Sequence, residues 1–439
     1  MEDSMNNLWK TYSETQKKEA MDFAEDYIDF LSKGKTERVC VTMAIDLAKK
    51  AGYRDMNDII KENGTLKPQD RVYFNIYDKA LVLVQIGTDP IEKGMNILGA
   101  HVDSPRLDLK PSPVFERDDL AYMDTHYYGG IKKYQWLAMP LALYGTVYLQ
   151  DGTKIDIAVG DKPEDPVFCI TDLLPHLGKA QLAKPAGEFI EAEKMDLLVG
   201  HMPLEGEGKD AVKANVLAIL KEDYGIEEED FASAEFEVVP AGPARTMGFD
   251  RSMVLGYGQD DRACSYPALM AQLECGDVKR TAMTLLVDKE EIGSQSATGS
   301  QANYMENCVR EILHAQGIDS ELIVMRALAN SFALSNDTTI AHDPIYPEVS
   351  SENGNNAVLG GGLTMAKYSG SRGKAGCNDA NPEFIAYLRK VFNDADVKWQ
   401  VAELGKQDLG GGGTIAWLMS KYTMQTIDAG ITLLNIHAP

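Results

Sequence analysis

Residues 281–294 read TAMTLLVDKEEIGS: an apolar run, then Asp288-Lys289-Glu290-Glu291, then Gly293. A run that hydrophobic suits a buried strand, and a buried strand ends at the rim of a sheet rather than in open surface. The same texture recurs along the chain. NILGA at 96–100 leads into His101-Val102-Asp103, ALSN at 333–336 into Asp337, and GITLLNI at 430–436 into His437. Segments of helical character alternate with these runs, among them RACSYPALMAQLE, NYMENCVREILHAQG and PEFIAYLRKVFND. That rhythm predicts an α/β fold, a mixed sheet with helices on both faces.

Upstream, Ser13 and Gln16 have capping-box spacing, and Ala20, Phe23, Ala24, Tyr27, Ile28 and Leu31 recur at helical intervals. Thr36 caps a second predicted helix that runs to Lys50, with Gly52 as its stop. RVYFNIY and ALVLVQIG, on either side of Asp78-Lys79, predict a hairpin. From about Leu107 the texture changes: Tyr, Gly and Pro become frequent and helical periodicity fades. TVYLQDGTKIDIAVG is a hairpin signal with its turn at Asp151-Gly152, an amphipathic helix follows near Ala211 to Leu220, and VVPAGPARTMG at 238–248 crosses back. The predicted organisation is a discontinuous α/β catalytic domain, 1–106 and 245–439, interrupted by a β-rich second domain over 107–244. An insertion of that length is large enough to fold on its own.

The bulk properties agree with two domains, because 439 residues exceed what one hydrophobic core usually supports. A net charge of -24 repels phosphates, so nucleic acid and anionic membrane are excluded as partners. No run is long enough to span a bilayer. The polar start MEDSMNNLWKTYSETQ lacks the apolar centre of a signal peptide, and a cytoplasmic location is expected. The six cysteines are scattered with no CxxC pair, which fits thiols better than disulfides or a zinc knuckle.

Ligands of an open α/β sheet bind beyond the carboxyl ends of its strands. Those ends here deliver His101, Glu291, Asp337 and His437, and Asp260 stands in the loop that opens a helix. Singly, each reads as a satisfied histidine or a capping carboxylate. Together, two imidazoles and three carboxylates make the mixed N/O set of zinc, cobalt or manganese, with Asp260 short enough to bridge two ions. Asp103, two residues beyond His101 on an extended strand, is placed to accept the second ring N–H and fix the tautomer. Adjacent Glu290 and Glu291 divide the labour, one binding metal and Glu290 acting as general base toward water. The run LGGGGT at 409–414, including Gly413, lets backbone approach a ligand and precedes a predicted helix, but it lacks the Lys of a nucleotide loop. Lys367, Arg372 and Lys374 are a basic cluster suited to a substrate carboxylate.

GAHVDSPRLDLK, GQDDRACS, DKEEIGS, SNDTTIAHDPIYPE, GGGGT and LLNIHAP, in this order, resemble the aspartyl aminopeptidase family of dinuclear metallo-aminopeptidases, as a bacterial-type member. The resemblance implies one zinc-type ion on His101 and Asp337, a second on Glu291 and His437, and Asp260 bridging both. It implies Glu290 as the base and Asp103 as the residue that orients His101. It also implies that the inserted domain builds homo-oligomers, typically dodecamers, and that His176 in ITDLLPHLG reaches a neighbouring subunit's site. Short peptides are the implied substrates, with Lys367, Lys374 and Gly413 on the substrate side. Three features depart from the pattern. Ile340 and Asp343 stand where eukaryotic members carry histidines, Asn435 and Ala438 stand where small hydroxyl residues are usual, and the chain ends two residues after His437, where a further segment packing on the sheet is expected. The competing expectations are a related co-catalytic carboxypeptidase or N-acyl amino acid deacylase, and a catalytically silent oligomeric scaffold.

Overall fold

The computed structural model describes residues 7–370 and 372–439; residues 1–6 of the polar N-terminal stretch, and Ser371, lie outside the described residues. The chain divides into two compact units, Met1–Asp103 with Gln259–Ile436, and Ser104–Gly258 with His437–Pro439. Among the described residues, no helix is long and apolar enough to cross a membrane.

The first unit is built on a nine-stranded sheet of β1 (Arg54–Asp55), β2 (Arg71–Ile76), β3 (Ala80–Gln85), β4 (Asn96–His101), β5 (Ala282–Val287), β6 (Phe332–Ser335), β7 (Leu363–Ala366), β8 (Trp399–Val401) and β9 (Gln425–Gly430). In space the order is β1-β2-β3-β5-β4-β6-β9-β7-β8. The four central strands β5, β4, β6 and β9 are mutually parallel. β2 and β3 form the hairpin expected around Asp78-Lys79, with β3 antiparallel to β5, and β7 returns antiparallel to β9.

β5 shows why the apolar run is continuous. Side chains alternate along a strand, and Met283, Leu285 and Val287 join a core with Met305, Val309 and Ile312 of helix Tyr304–Ala315 and with Val324 and Ala327 of helix Glu321–Ala329. Thr284 points the other way and donates to the Gln272 side chain at 2.9 Å, on helix Gln259–Glu274. Both faces are covered, so both sets of positions are apolar or satisfied. A second core gathers Met365, Ile427 and Ala429 against Phe384, Leu388 and Phe392 of helix Pro382–Asp394. The N-terminal helices start as their sequences require. Ser13 and Gln16 form a reciprocal capping box ahead of Glu14–Lys33, and Thr36 accepts from the Val39 amide at the head of Glu37–Lys50.

The second unit is a six-stranded antiparallel sheet, in spatial order Lys154–Val159, Leu141–Tyr148, Ala234–Pro240, Arg106–Arg117, Leu120–Tyr128 and Leu197–Gly200. One helix, Ala211–Tyr224, lies on it, closely enough that a Cβ on Gly200 would meet Val216 at 2.7 Å. Its first amides have no cap from Asp210. Instead Glu116, from the strand beneath, accepts from Val212 and Lys213 at 2.9 and 2.8 Å. The units divide after Asp103 and Gly258, where the sequence reading placed the limits at 106 and 244. At the second limit the difference has two causes. Arg245–Met247 and Met253–Leu255 pair with each other, and Tyr257 ties this hairpin to the second unit by donating to Pro105 O at 3.1 Å and meeting Trp136 edge-on.

Ile97 is 2 % exposed in the core beneath β4. Ile97→Ala is expected to lower unfolding free energy by about 2 to 5 kcal/mol in urea titration, as large-to-small core changes do. A loss below about 0.5 kcal/mol would show that the site is not tightly packed.

Candidate active site

Because β5, β4, β6 and β9 are parallel, their carboxyl ends share one rim, and three of them deliver a polar side chain there: Asp288 after β5, His101 closing β4, Asp337 two residues past β6. Glycine makes the last approach feasible. A Cβ on Gly430, at the end of β9, would lie 1.8 Å from the Asp337 carbonyl oxygen. Asp260 joins from the head of helix Gln259–Glu274, where it and Asp261 have non-helical backbone and are linked by a cis peptide.

His101 is the centre of the cluster and is 2 % exposed. Its Nδ1 lies 3.0 Å from the Asp103 carbonyl oxygen, so the ring N–H donates there, with the Asp103 carboxylate at 3.3 Å. In the neutral ring the lone pair is then on Nε2. Nε2 faces Asp260 Oδ1 at 3.3 Å, Asp337 Oδ1 at 3.9 Å and Glu290 Oε2 at 4.0 Å. A lone pair there would be repelled by three carboxylate oxygens, so Nε2 calls for positive charge beside it, a proton shared with Asp260 or a metal ion among the carboxylates. His101, Asp260 and Asp337 each offer a ligand atom within 4.8 Å of the others, and so do His101, Glu290 and Glu291. The protonation equilibria express the same crowding. Burial, then the charges of Asp261 and Asp260, hold the Asp337 carboxyl well above the ordinary range. At His101 burial opposes the cation, but hydrogen bonds to Asp103 and Asp260 outweigh it and push the imidazole up. One nitrogen and several oxygens converging on a common point are the donor set of a zinc-type ion, so the residues fit a metal.

The segment carrying Glu290 and Glu291 is gripped from both sides. Asp103, fully buried, accepts from the amides of Glu290 and Glu291 through its two oxygens, each at 3.2 Å. Behind it, Lys289 adopts the left-handed conformation at φ 68° and sends its ammonium toward Asp288 at 3.3 Å and Glu37 at 3.8 Å. Glu37, at the head of a helix and fully buried, also faces Lys79 of the β2–β3 turn at 3.6 Å. Asp288 is held by the Thr298 hydroxyl at 2.6 Å, and burial with the neighbouring Glu37 charge pushes its carboxyl up to about 6. Three distant segments thus meet in one buried ion network below the site.

The remaining expected residues are placed as follows. His437 groups with the second unit, where its Nδ1 lies 2.7 Å from the Gly130 carbonyl oxygen and donates its N–H there. Lys367 and Lys374 both pair with Asp379, and Lys374 lies over the Tyr368 ring at 3.9 Å, so one carboxylate offsets part of the cluster's positive charge. Arg372 is exposed. Gly413 stands in an irregular loop, and the helix expected after the glycine run is only Ala416–Ser420, too short to form an anion site at its start. His176 is an exposed turn residue of the second unit.

Sequence reasoning missed several supports. Asp261 accepts the His101 amide at 3.2 Å. Arg262, 1 % exposed, donates to Val102 O and Lys35 O at 3.1 and 3.2 Å and so holds the chain between His101 and Asp103. The only available signal was the charged triplet DDR ahead of an apolar helix. Nothing marked Glu37 or Lys79 as members of a network.

Comparison with known proteins gives a consistent result. Residues 30–439 match the family described as Aminopeptidase I zinc metalloprotease (M18). A probable M18 family aminopeptidase 1 of Clostridium acetobutylicum is 52% identical over 434 residues, covering 99% of this chain and 93% of that protein. The crystal structure of an M18 aminopeptidase from Thermotoga maritima superposes with a TM-score of 0.94 at 44% identity, over 99% of this chain and 94% of that one. The S. cerevisiae mApe1 dodecamer shares the fold at a TM-score of 0.74 and 21% identity, over 95% of this chain and 91% of that one.

Two substitutions check the architecture. Gly430→Ala is expected to displace Asp337 and reduce zinc retained after dialysis by at least about tenfold, read by elemental analysis, because a Cβ cannot occupy that space. Unchanged retention would mean that Asp337 is not a ligand. Glu37→Leu removes the carboxylate that faces both Lys79 and Lys289 and is expected to cost about 3 to 5 kcal/mol in chemical denaturation.

Proposed function

Given that the chain belongs to the M18 family of zinc aminopeptidases, we propose that it releases the N-terminal residue of short peptides with two divalent ions held by His101, Asp260, Glu291, Asp337 and His437. The observation that carries this reading is the convergence of Asp260, Asp337 and Glu290 on His101 Nε2 at 3.3 to 4.0 Å. His101 and Asp337 are assigned to one ion, Glu291 and His437 to the other, and Asp260 to both. The tautomers support the assignment, since each histidine donates its Nδ1–H to a backbone carbonyl and presents Nε2 as the ligating nitrogen. Bound divalent ions supply Lewis acidity at a carbonyl oxygen and make water more acidic.

The protein's own groups do the rest. Glu290 is the proton carrier: it takes a proton from the attacking water and returns it to the leaving amine. Asp103 holds Glu290 in register by accepting its amide, while the same residue's carbonyl fixes His101. The glycine run, with Gly413, brings backbone to the substrate, and Lys367 and Lys374 flank it. Their shared partner Asp379 offsets only one of the two lysine charges, so the segment keeps net positive charge and is compatible with acidic first residues. The second unit is assigned to homo-oligomer formation, as a dodecamer, with His176 reaching a neighbouring subunit. This is supported by the exposed Val167, Leu173, Leu174, Leu177 and Leu182 around His176, a concentration of apolar surface uncommon on a monomer.

Glu290→Gln keeps size and hydrogen bonding but cannot accept the proton. It is expected to lower kcat on aminoacyl anilides by about 10²- to 10⁴-fold while zinc content stays at the wild-type level. Activity within a few-fold of wild type would remove Glu290 from the role. Wild-type turnover of N-acyl amino acids in preference to aminoacyl anilides would replace the aminopeptidase assignment with a deacylase.

A further inference from the structure

Asp428 lies in β9, directly opposite Ser335 of β6 on one side and Ala366 of β7 on the other, and is 5 % exposed. A carboxylate in the middle of a sheet normally needs a cationic partner or a full set of donors. Hydroxyls from two separate loops reach it, Thr414 Oγ1 at 2.5 Å on one carboxylate oxygen and Ser369 Oγ at 3.5 Å on the other, and the Ser335 hydroxyl of the facing strand adds to them. Burial pushes the carboxyl up to about 6 against the opposing effect of these hydroxyls.

The two loops are the ones that flank the proposed substrate. Thr414 closes the glycine run directly after Gly413, and Ser369 sits between Lys367 and Lys374. They also touch each other, the Gly412 amide donating to Ser369 O at 3.0 Å. Between them is a cavity of about 210 Å³ lined by Tyr368, Lys374, Glu403, Gly410 and Gly411. A run of glycines has no side chains with which to anchor itself and carries the largest conformational freedom of any segment. Part of it is fixed by close backbone packing, since a Cβ on Gly410 would fall 1.7 Å from Leu404 O. At its other end the first side chain able to hold it is that of Thr414, and that side chain is tied to Asp428.

We propose that Asp428 is a positioning residue for substrate: through Thr414 and Ser369 it fastens the glycine run and the 367–374 segment to the same point of the sheet. It touches neither substrate nor metal. Its effect falls on how well substrate is held, not on proton transfer at Glu290. The inference rests on the reading of these loops as the substrate side of a peptidase.

The test uses the full-length zinc-loaded enzyme and three substitutions: Asp428→Asn, Thr414→Val and Thr414→Ser. Asp428→Asn and Thr414→Val are each expected to raise KM about tenfold, the scale of one lost hydrogen bond, with kcat within about threefold of wild type and zinc content unchanged. Hydrogen exchange of amides 405–414 should quicken in both, while β4 and β5 exchange as in wild type. Thr414→Ser, which keeps the hydroxyl, should restore both readouts, and the double variant Asp428→Asn with Thr414→Val should be no worse than either single one. A fall in kcat at constant KM, additive effects in the double variant, or unchanged exchange of 405–414 would overturn the proposal. If Asp428→Asn does not fold, the Thr414→Val and Thr414→Ser pair decides it by the same criteria. Hydrogen exchange needs no turnover, so a wild-type enzyme inactive on peptides would count against the peptidase reading alone.

Discussion

The structure is organised around an electrostatic problem: a single buried imidazole nitrogen faces several carboxylates with little water to screen them. Carboxylates gathered around one point in a weakly polarisable interior repel one another by several kcal/mol or more, on the order of what Coulomb's law gives there. Such a cluster persists only if a cation neutralises it and the surrounding fold holds its members in place. Both requirements explain features that otherwise look unrelated. Parallel strands put their carboxyl ends on one rim, and the carboxylates arrive there from two strand ends and, for Asp260, from the head of a helix.

Bracing is mostly by main-chain groups. His101 is fixed by a carbonyl at its ring and by Asp261 at its amide, Glu290 and Glu291 by Asp103, and the strand end between them by Arg262. Below these, Glu37, Lys79, Asp288 and Lys289 form a buried ion network that adds little net stability by Coulomb attraction alone. Its contribution is geometric: it pins the left-handed Lys289 that turns Glu290 and Glu291 toward His101. On the substrate side, Asp428 plays a comparable part for loops that have few side chains of their own.

The strand ends were legible in the sequence because an apolar run that stops at a His or carboxylate is a local pattern. β5 and its DKEE sequel, β4 and AHVD, and β6 with SND were all visible on that basis, and so was the α/β alternation. Supports whose partners are far away in the chain were not. Glu37 meets Lys289 across some 250 positions, and Asp428 meets Thr414 and Ser369 by folding, not by spacing. The sequence also overstated two features. Lys367 and Lys374 looked like free positive charge because nothing marked Asp379 as their common partner, and GGGGT looked like a helix start although only Ala416–Ser420 follows. The unit boundary moved because Tyr257, unremarkable in sequence, anchors the returning hairpin.

The direct test of the central claim is anomalous diffraction at the zinc edge from crystals grown with the metal. The account predicts a peak about 2.0 to 2.2 Å from His101 Nε2 and from oxygens of Asp260 and Asp337. Zinc bound elsewhere in the chain, with His101 Nε2 outside bonding distance, would contradict it.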